Sequence, residues 1–526
     1  MADHVGAEIG FVEVSSGDEL SFSAWSATAD RAAAGLQAAG VAKGDRVGLY
    51  LPGTAATAWV AAYVAIHRAG AVAVPVNTRS VPAEAAGILA HAGVAALIAS
   101  RGLLDVWDAT AGEAPTGERG PAGALIPLIV EVGPAHGQPT TPGRTRWDEL
   151  LASGTGEPVE VPVGEDDLAD IVYTSGTTGR PKGVVVRYGN ASLIPTGLPG
   201  WSGVGWLSCS PLFTFAGLTA IDNPMKLGMT ALYLPRFDAG VWLDVVAERR
   251  PAMVFLVPAM VELLLAHPAF ATADLSSIGL CAVGSAPLAP VTQRRLAEAM
   301  PAAAVSNAYG MTEAGPAYTV LPKEEAAARS GSVGRPLPPA EFFTVDDHGG
   351  RLGADQVGEL VIRLPGRPRE YYRDPDATAS AWRTDGLHTG DLARIDADGY
   401  VYVVGRAKEV IIRGGHNVHA ADVEAVLYEH PAVAEAVVAG VDHPILGEDV
   451  AAWVVLGRGG PDGASAASDI GRFAAARLSD YKVPRRITVV DHLPRNATGK
   501  VVKAELPAPA PAWAPPTAQG SMRISE

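Results

Sequence analysis

The stretch Tyr173-Thr174-Ser175-Gly176-Thr177-Thr178-Gly179-Arg180-Pro181-Lys182-Gly183 packs small hydroxyl side chains, glycines and a lysine into one short run. Backbone N–H groups without a Cβ in the way can close on a polyanion, hydroxyls add donors and Lys182 adds charge, so the chemistry is phosphate binding. Apolar runs at 169–172 and 184–186 read as strands and make the segment a loop between them. It is not the usual P-loop, because Pro181 precedes the lysine and Gly183 follows it. From composition alone a flexible connector is the plainer reading.

Four further groups carry chemistry. Asn307-Ala308-Tyr309-Gly310-Met311-Thr312-Glu313 offers an aromatic face for a base, a hydroxyl for a phosphate and a carboxylate that could hold Mg²⁺, or else a turn with one partly buried tyrosine. Asp391, at the end of a Gly-containing run from Asp385, could accept hydrogen bonds from vicinal ribose hydroxyls or simply form a turn. Gly284-Ser285-Ala286-Pro287 follows a strand, and sheets of this kind bind ligands at the carboxyl ends of their strands. Lys500 lies in a Gly-containing loop, where a lone lysine is ordinarily a solvated charge.

In their wording and order these segments resemble the adenylate-forming superfamily of acyl-CoA synthetases, peptide-synthetase adenylation domains and luciferases. The likeness covers the chain from about Ala24 to Leu506 and is nearest to acyl- or aryl-CoA ligases. It implies ATP and Mg²⁺ as cofactors, a small carboxylic acid as substrate and coenzyme A as co-substrate. Thr174, Ser175, Gly176, Thr177, Thr178, Gly179 and Lys182 would hold phosphates, and Gly284, Ser285, Ala286, Tyr309, Gly310 and Met311 the rest of the nucleotide. Thr312 would contact the α-phosphate, Glu313 the metal, and Asp391 the ribose with Arg406 beside it. Arg495-Asn496-Ala497-Thr498-Gly499-Lys500 matches the family's Pro-Arg-x-x-x-Gly-Lys motif and makes Lys500 the catalytic lysine. Lys408 matches the hinge, and Gly414 and Gly415 the strand beside the incoming thiol.

The acid pocket is expected to include Trp206, Phe213, Thr214, Ser285 and Asn307, a mixture suited to a compact or aromatic acid. Two positions depart from the pattern. Thr214 replaces the histidine that normally gates the acyl pocket, and Tyr188 stands where a histidine usually follows the phosphate loop. Both bear on access and acceptor, so two other outcomes stay open: a biosynthetic enzyme that uses an amine or an unusual acid such as nitrite, and an inactive nucleotide-binding relative.

These groups need a scaffold. With 526 residues the chain exceeds one compact core, and 48% hydrophobic against 19% charged residues is a globular composition. Helix-spaced apolar residues from Ala24 to Ala39, a strand at 46–51, a helix from Ala55 to Ala69 and a strand at 71–76 begin an alternation that continues to Met300. That predicts an α/β fold of doubly wound sheets. The Gly/Pro-rich stretch 112–142 reads as a surface excursion with a strand inside it. After Arg406 the pattern changes to a small α+β module, so the expected division is 1–407, a mobile domain 408–506, and a disordered Pro/Ala-rich tail 507–526.

A net charge of −16 without a basic run argues against nucleic acid. Cys209 and Cys281 sit in apolar surroundings without metal-ligand spacing, and the first residues lack a secretory pattern. The most apolar stretch is broken by His67, Arg68 and Pro75. The expectation is a cytoplasmic protein without a membrane span, monomeric or homodimeric.

Overall fold

Strand and helix segments close into two seven-stranded sheets. The computed structural model describes residues 1–110, 126–133, 141–159, 161–174, 181–191, 200–286, 288–315, 319–457, 463–496 and 500–511. The first sheet runs Ala304–Ala308, Leu280–Gly284, Met253–Leu256, Gly205–Ser208, Thr230–Tyr233, Ile9–Glu13, Asp18–Ser21, and only the last pair is antiparallel. The second runs Thr145–Arg146, Leu128–Val132, Ala96–Ser100, Arg46–Tyr50, Val72–Pro75, Leu168–Thr174, Lys182–Arg187, with an antiparallel pair flanking the phosphate loop. The strand expected within 112–142 is Leu128–Val132, and it joins the sheet by pairing with Ala96–Ser100; residues 111–125 and 134–140 lie outside the described residues.

The helix Phe22–Ala38 shows how locally this order is written. Ser21 caps it by accepting from the Ala24 N–H at 3.2 Å, and Trp25, Ala29, Ala32, Ala33 and Leu36 bury one face. With Ala56–Arg68 and Phe215–Lys226 it contributes Trp25, Trp59, Ile66 and Leu218 to a core that also takes Val47 and Leu49 from the second sheet and Ala231 from the first. Each such fully buried large side chain contributes roughly 1.5–3 kcal/mol by leaving water. The outer face of the first sheet packs Leu256, Cys281 and Val283 against Trp242 and Leu296.

Charge is also built into this interior. His67 Nε2 lies 3.1 Å from the Ala169 carbonyl oxygen and 3.2 Å from Asp170 Oδ1. Burial pulls the His67 pKa down, but Asp170 outweighs it and the net shift is upward. Asp222, half-buried on the helix Phe215–Lys226, is pushed up to about 6 by burial and by Asp170, against Lys226 and His67. Tyr188 borders the group, its ring edge-on to His67 at 5.9 Å, and burial raises its phenol to about 12.

A short antiparallel pair, Thr319–Val320 with Arg335–Pro336, and two five-stranded sheets follow among the described residues. An antiparallel one joins Glu341–Val345, Gly358–Arg363, Gly386–Ile395 and Trp382–Arg383, with Val401–Arg406 also on Gly386–Ile395, and the strand alternation of the earlier chain gave no sign of it. The last joins His416–Val418, Ile411–Arg413, Gly447–Leu456 and Val433–His443, with Arg486–Val489 on Gly447–Leu456, over a core of Val423, Leu427, Val438, Val454 and Ile470. A single 3₁₀ turn, Ala407–Glu409, connects the two, and Lys408 is its middle residue. The run from Pro507 is not loose at its start. Trp453 Nε1 donates to the Pro507 carbonyl at 2.9 Å and the Ala510 N–H to Thr488 Oγ1 at 2.7 Å. Residues 512–526 lie outside the described residues. Among the described residues no helix is long and apolar enough to cross a membrane, and both cysteines are buried free thiols.

Candidate active site

Asp391 is held by its own motif. It sits in the strand Gly386–Ile395, not in a turn, and is 6% exposed. His388, three residues earlier in the same strand, is clamped between Glu359 (Nδ1 to Oε2, 2.8 Å) and Asp385 (Nε2 to Oδ1, 3.1 Å). Thr389 Oγ1 donates to the Leu360 carbonyl and accepts from the Asp391 N–H at 3.1 Å, while Gly390 N–H donates to Glu359 at 3.1 Å. Thus the residues before Asp391 fix its backbone. Its two oxygens meet Arg406 Nε at 2.9 Å and the Tyr309 hydroxyl at 2.7 Å. A carboxylate has about four acceptor positions, so both ribose hydroxyls can still be taken.

Tyr309 follows the strand Ala304–Ala308, and burial, then Asp391, raise its phenol pKa. Thr312 and Glu313 lie in the next turn, closed by the Met311–Gly315 bridge. Glu313 is 9% exposed, and its Oε1 accepts from the Tyr371 hydroxyl at 2.8 Å. Among the described residues no donor reaches its other oxygen, and none forms a cluster of three metal-ligating side chains. One oriented carboxylate with a spare oxygen fits an ion that takes most of its ligands from phosphate and water, as Mg²⁺ does.

Lys500 comes from the opposite lobe. Its backbone N–H is fixed by Asn496 Oδ1 at 3.0 Å, and its side chain reaches Glu313, Asp391 and Arg406 closely enough to feel all three. The Lys500 side chain is exposed to solvent, yet the protein around it, and Arg406 after it, lower the ammonium pKa, with Asp391 and Glu313 opposing. Among the described residues Lys500 has no ion-pair partner, so its charge points across the cleft uncommitted.

The glycine- and hydroxyl-rich loop 174–182 is described at its ends. Thr174 closes one strand, paired with Lys182 at the start of the next. Ser175, Gly176, Thr177, Thr178 and Gly179 lie outside the described residues. Lys182 Nζ stands 4.8 Å from the centre of the Tyr371 ring. On the neighbouring sheet, Gly284 pairs with Ala308, where a Cβ at 284 would come within 2.8 Å of the Ala308 carbonyl. Ser285 next to it has φ 69°, a left-handed conformation that a serine adopts at a cost.

Register decides the acid pocket. Trp206, Met253, Leu280 and Ala304 form one row across four strands, and Ser208, Phe255, Ala282 and Ser306 form the next. Gly284 and Ala308 end the series beside Tyr309. Most of this face is half-exposed, while Leu207, Val254, Cys281 and Val305 on the other face are sealed. Trp206 therefore belongs to the open row. Asn307 does not: it pairs with Val283 on the sealed face, because a strand alternates its side chains. Thr214 caps the helix Phe215–Lys226, donating to the Pro211 carbonyl at 2.7 Å and accepting from the Gly217 N–H at 3.0 Å. Its hydroxyl is committed to that turn, and Gly217 is needed there, since a Cβ would lie 2.1 Å from the Pro211 carbonyl oxygen. Phe213 is half-buried just before it.

Gly414 and Gly415 form the two-residue turn between Ile411–Arg413 and His416–Val418, with φ 56° and 83°. Positive φ at both positions explains the glycines in this arrangement. Two residues that motif reading passed over stand in the cleft, Arg369 and Tyr371. Arg369 Nη1 donates to the Thr312 carbonyl at 3.1 Å, and its guanidinium lies 4.7 Å from the Phe215 ring. Neither carries a local sequence signal; only the fold brings them to Thr312 and Glu313.

Comparison with known proteins agrees with this geometry. The family described as AMP-binding enzyme matches residues 5–372, and the AMP-binding enzyme C-terminal domain matches 422–500. A feruloyl-CoA synthase from an Amycolatopsis species is 36% identical over 503 residues, 93% of this chain and 94% of that protein. A long-chain-fatty-acid–CoA ligase from Mycobacterium tuberculosis is 31% identical over 517 residues, 94% of each. The crystal structure of an anthranilate CoA ligase in complex with anthranoyl-AMP superposes with a TM-score of 0.83 at 25% identity, covering 94% of this chain and 93% of that one. The chain belongs to the AMP-binding enzyme family.

Proposed function

We propose that this protein activates an aromatic or similarly compact carboxylic acid with ATP, releases pyrophosphate, and transfers the acyl group to coenzyme A. The observation that carries the reading is the meeting of Lys500 with Glu313, Asp391 and Arg406 from the larger lobe in one cleft, at the end of the half-open row on the first sheet. The likeness to a feruloyl-CoA synthase and an anthranilate CoA ligase supports an aromatic acid, and so does a floor made flat by Ala282, Ala304, Ser306 and Ala308.

A carboxylate cannot expel oxide, so its oxygen attacks the α-phosphorus, a new P–O bond forms, and the bond to the β-phosphate oxygen breaks. Negative charge grows on the phosphorus oxygens and the leaving group, where fixed donors act most strongly. Lys500 and Thr312 would face that charge; Asp391 would hold the ribose, Tyr309 the adenine side, and Lys182 the departing phosphates. Glu313 would hold Mg²⁺, which when bound neutralises phosphate charge. The thiol of coenzyme A then attacks the carbonyl carbon, AMP leaves, and the thiol proton passes to solvent. Withdrawal of Lys500 between the steps would turn on Lys408, bringing Gly414 and Gly415 to the thiol. A buried-thiol, cytoplasmic protein suits this chemistry, with residues 1–407 and 408–506 moving as separate domains.

The test is pyrophosphate release from ATP with a panel of benzoic, cinnamic and fatty acids, with coenzyme A consumption read in parallel. Aromatic acids should give the highest kcat/KM and equal amounts of pyrophosphate and thioester. Release without thioester would point to another acceptor, and no release with any acid would end the reading.

A further inference from the structure

Residues 367–372 form a strap that no motif announced. Its backbone adds to the edge of the second sheet: Val185 N–H donates to the Glu370 carbonyl at 2.8 Å, Tyr372 N–H to Gly183 at 2.7 Å, and Val184 bridges Tyr371. Side chains reinforce the seam, with Arg187 on Glu370 at 2.6 Å and Asn190 Nδ2 on the Arg367 carbonyl at 3.0 Å. The Tyr371 N–H is held by Thr378 Oγ1 at 2.9 Å. The strap is thus fastened at the exit of the phosphate loop, and it turns Arg369 and Tyr371 towards Thr312 and Glu313.

Tyr371 touches two groups at once. Its hydroxyl donates to Glu313 Oε1 at 2.8 Å, and its ring faces the Lys182 ammonium at 4.8 Å. A hydrogen bond to one carboxylate oxygen fixes the plane of the carboxyl and aims the other, and such partners of ligating groups commonly carry much of a site's metal affinity. A cation over an aromatic face is held more weakly than in an ion pair, which positions an ammonium without trapping it.

We propose that Tyr371 is a positioning residue that sets Glu313 for a divalent cation and Lys182 for the polyphosphate, with the 367–372 strap as its mount. This rests on the reading of the cleft as an ATP site. It separates two contributions, since the hydroxyl acts only through Glu313 and the ring only through Lys182.

The experiment is calorimetric titration of the full-length protein with ATP, once with Mg²⁺ and once with EDTA. Tyr371→Phe should reduce the gain in affinity that Mg²⁺ brings by about 10-fold, while metal-free ATP binding stays within about 2-fold. Tyr371→Leu should also weaken metal-free binding, because the ring is lost. In a Glu313→Gln background Tyr371→Phe should have no further effect. Equal weakening with and without Mg²⁺, an unchanged Mg²⁺ gain, or additive losses with Glu313→Gln would each overturn the proposal. Should Tyr371→Phe fail to fold, Arg187→Gln carries the test by releasing Glu370 at the outer edge of the strap. It should lower the Mg²⁺ gain about 3-fold, and an unchanged gain overturns the proposal. A wild-type protein that does not bind ATP at all would instead defeat the functional reading itself.

Discussion

Between the two large sheets, His67, Asp170 and Asp222 are supplied by two helices and a strand. At the lobe cleft, Glu313, Asp391, Arg406 and Lys500 come from a turn, two strands and a loop in two lobes. Both sets mix carboxylates with cations in partly buried ground. In the interior set His67 sits on Asp170, and the remaining charge, Asp222, answers its surroundings by drawing its proton more tightly. In the cleft set Arg406 and Tyr309 take Asp391, Tyr371 takes Glu313, and Lys500 takes nothing among the described residues. The difference is where the mismatch falls: inside, on a carboxyl whose pKa burial and Asp170 raise to about 6; in the cleft, on a lysine with no ion-pair partner among the described residues. A charge held ready at small reorganisation cost is what transition-state stabilisation requires.

The sharpest way to break that contrast is Lys500→Ala. Removing a preorganised donor to the developing charge should lower pyrophosphate release by about 10²–10³-fold. Thioester formation from supplied acyl-adenylate should be largely retained, because the lysine faces phosphorus and not the thioester. Stopped-flow measurement of both half-reactions decides it, and equal losses in the two steps would strip the lysine of its part in adenylation.

A smaller effect lies in the pH profile. The Lys500 pKa is lowered, by burial first and Arg406 second. The ammonium is the useful form, so the adenylation rate should fall as pH rises through that lowered value, earlier than an ordinary lysine near 10.4 would allow. Lys500→Arg, charged at every accessible pH, should remove the alkaline limb even though its geometry costs rate. An alkaline limb that stays in place in the arginine variant belongs to another group.

What was legible in the sequence follows from how locally each feature is encoded. Tyr309, Thr312 and Glu313 share one turn, and Asp391 is positioned by the three residues before it, so short motifs carry both. Lys500 taken alone reads as an ordinary loop lysine, and it was the resemblance of its loop to the Pro-Arg-x-x-x-Gly-Lys motif that singled it out; the fold puts it within electrostatic reach of Glu313 and Asp391. Tyr371 and Arg369 were not legible, because their partners lie 58 and 57 residues away along the chain and nothing local requires the contact. Asn307 shows another limit: its motif gives its place in the chain, but only the pairing with Val283 says which face it takes. The opening pair Ile9–Glu13 and Asp18–Ser21 was passed over for a like reason, since the first of these strands is completed by Thr230–Tyr233, more than two hundred residues on.

The smallest effect tests the interior side of the contrast. Asp222 has its pKa raised to about 6 in the fold, by burial and by Asp170, against an ordinary value near 3.9 in the unfolded chain. For an acid shifted upward the folded state binds the proton more tightly, so the stabilisation is complete below the unfolded value and is lost as pH rises through the folded one. The window therefore runs from about pH 4 to about pH 6, and above it the folded protein carries a buried charge it would be more stable without. Asp222→Asn removes that liability while keeping the shape. Discounted for a half-buried, coupled group, the difference should approach about 1 kcal/mol at about pH 7.5 and vanish near pH 4. In calorimetric scans the variant should melt about 1–2 °C above wild type at about pH 7.5, and the gap should close on acidification. A gap that does not change with pH would mean that Asp222 titrates normally, and the interior set would then hold its charges as openly as the cleft does.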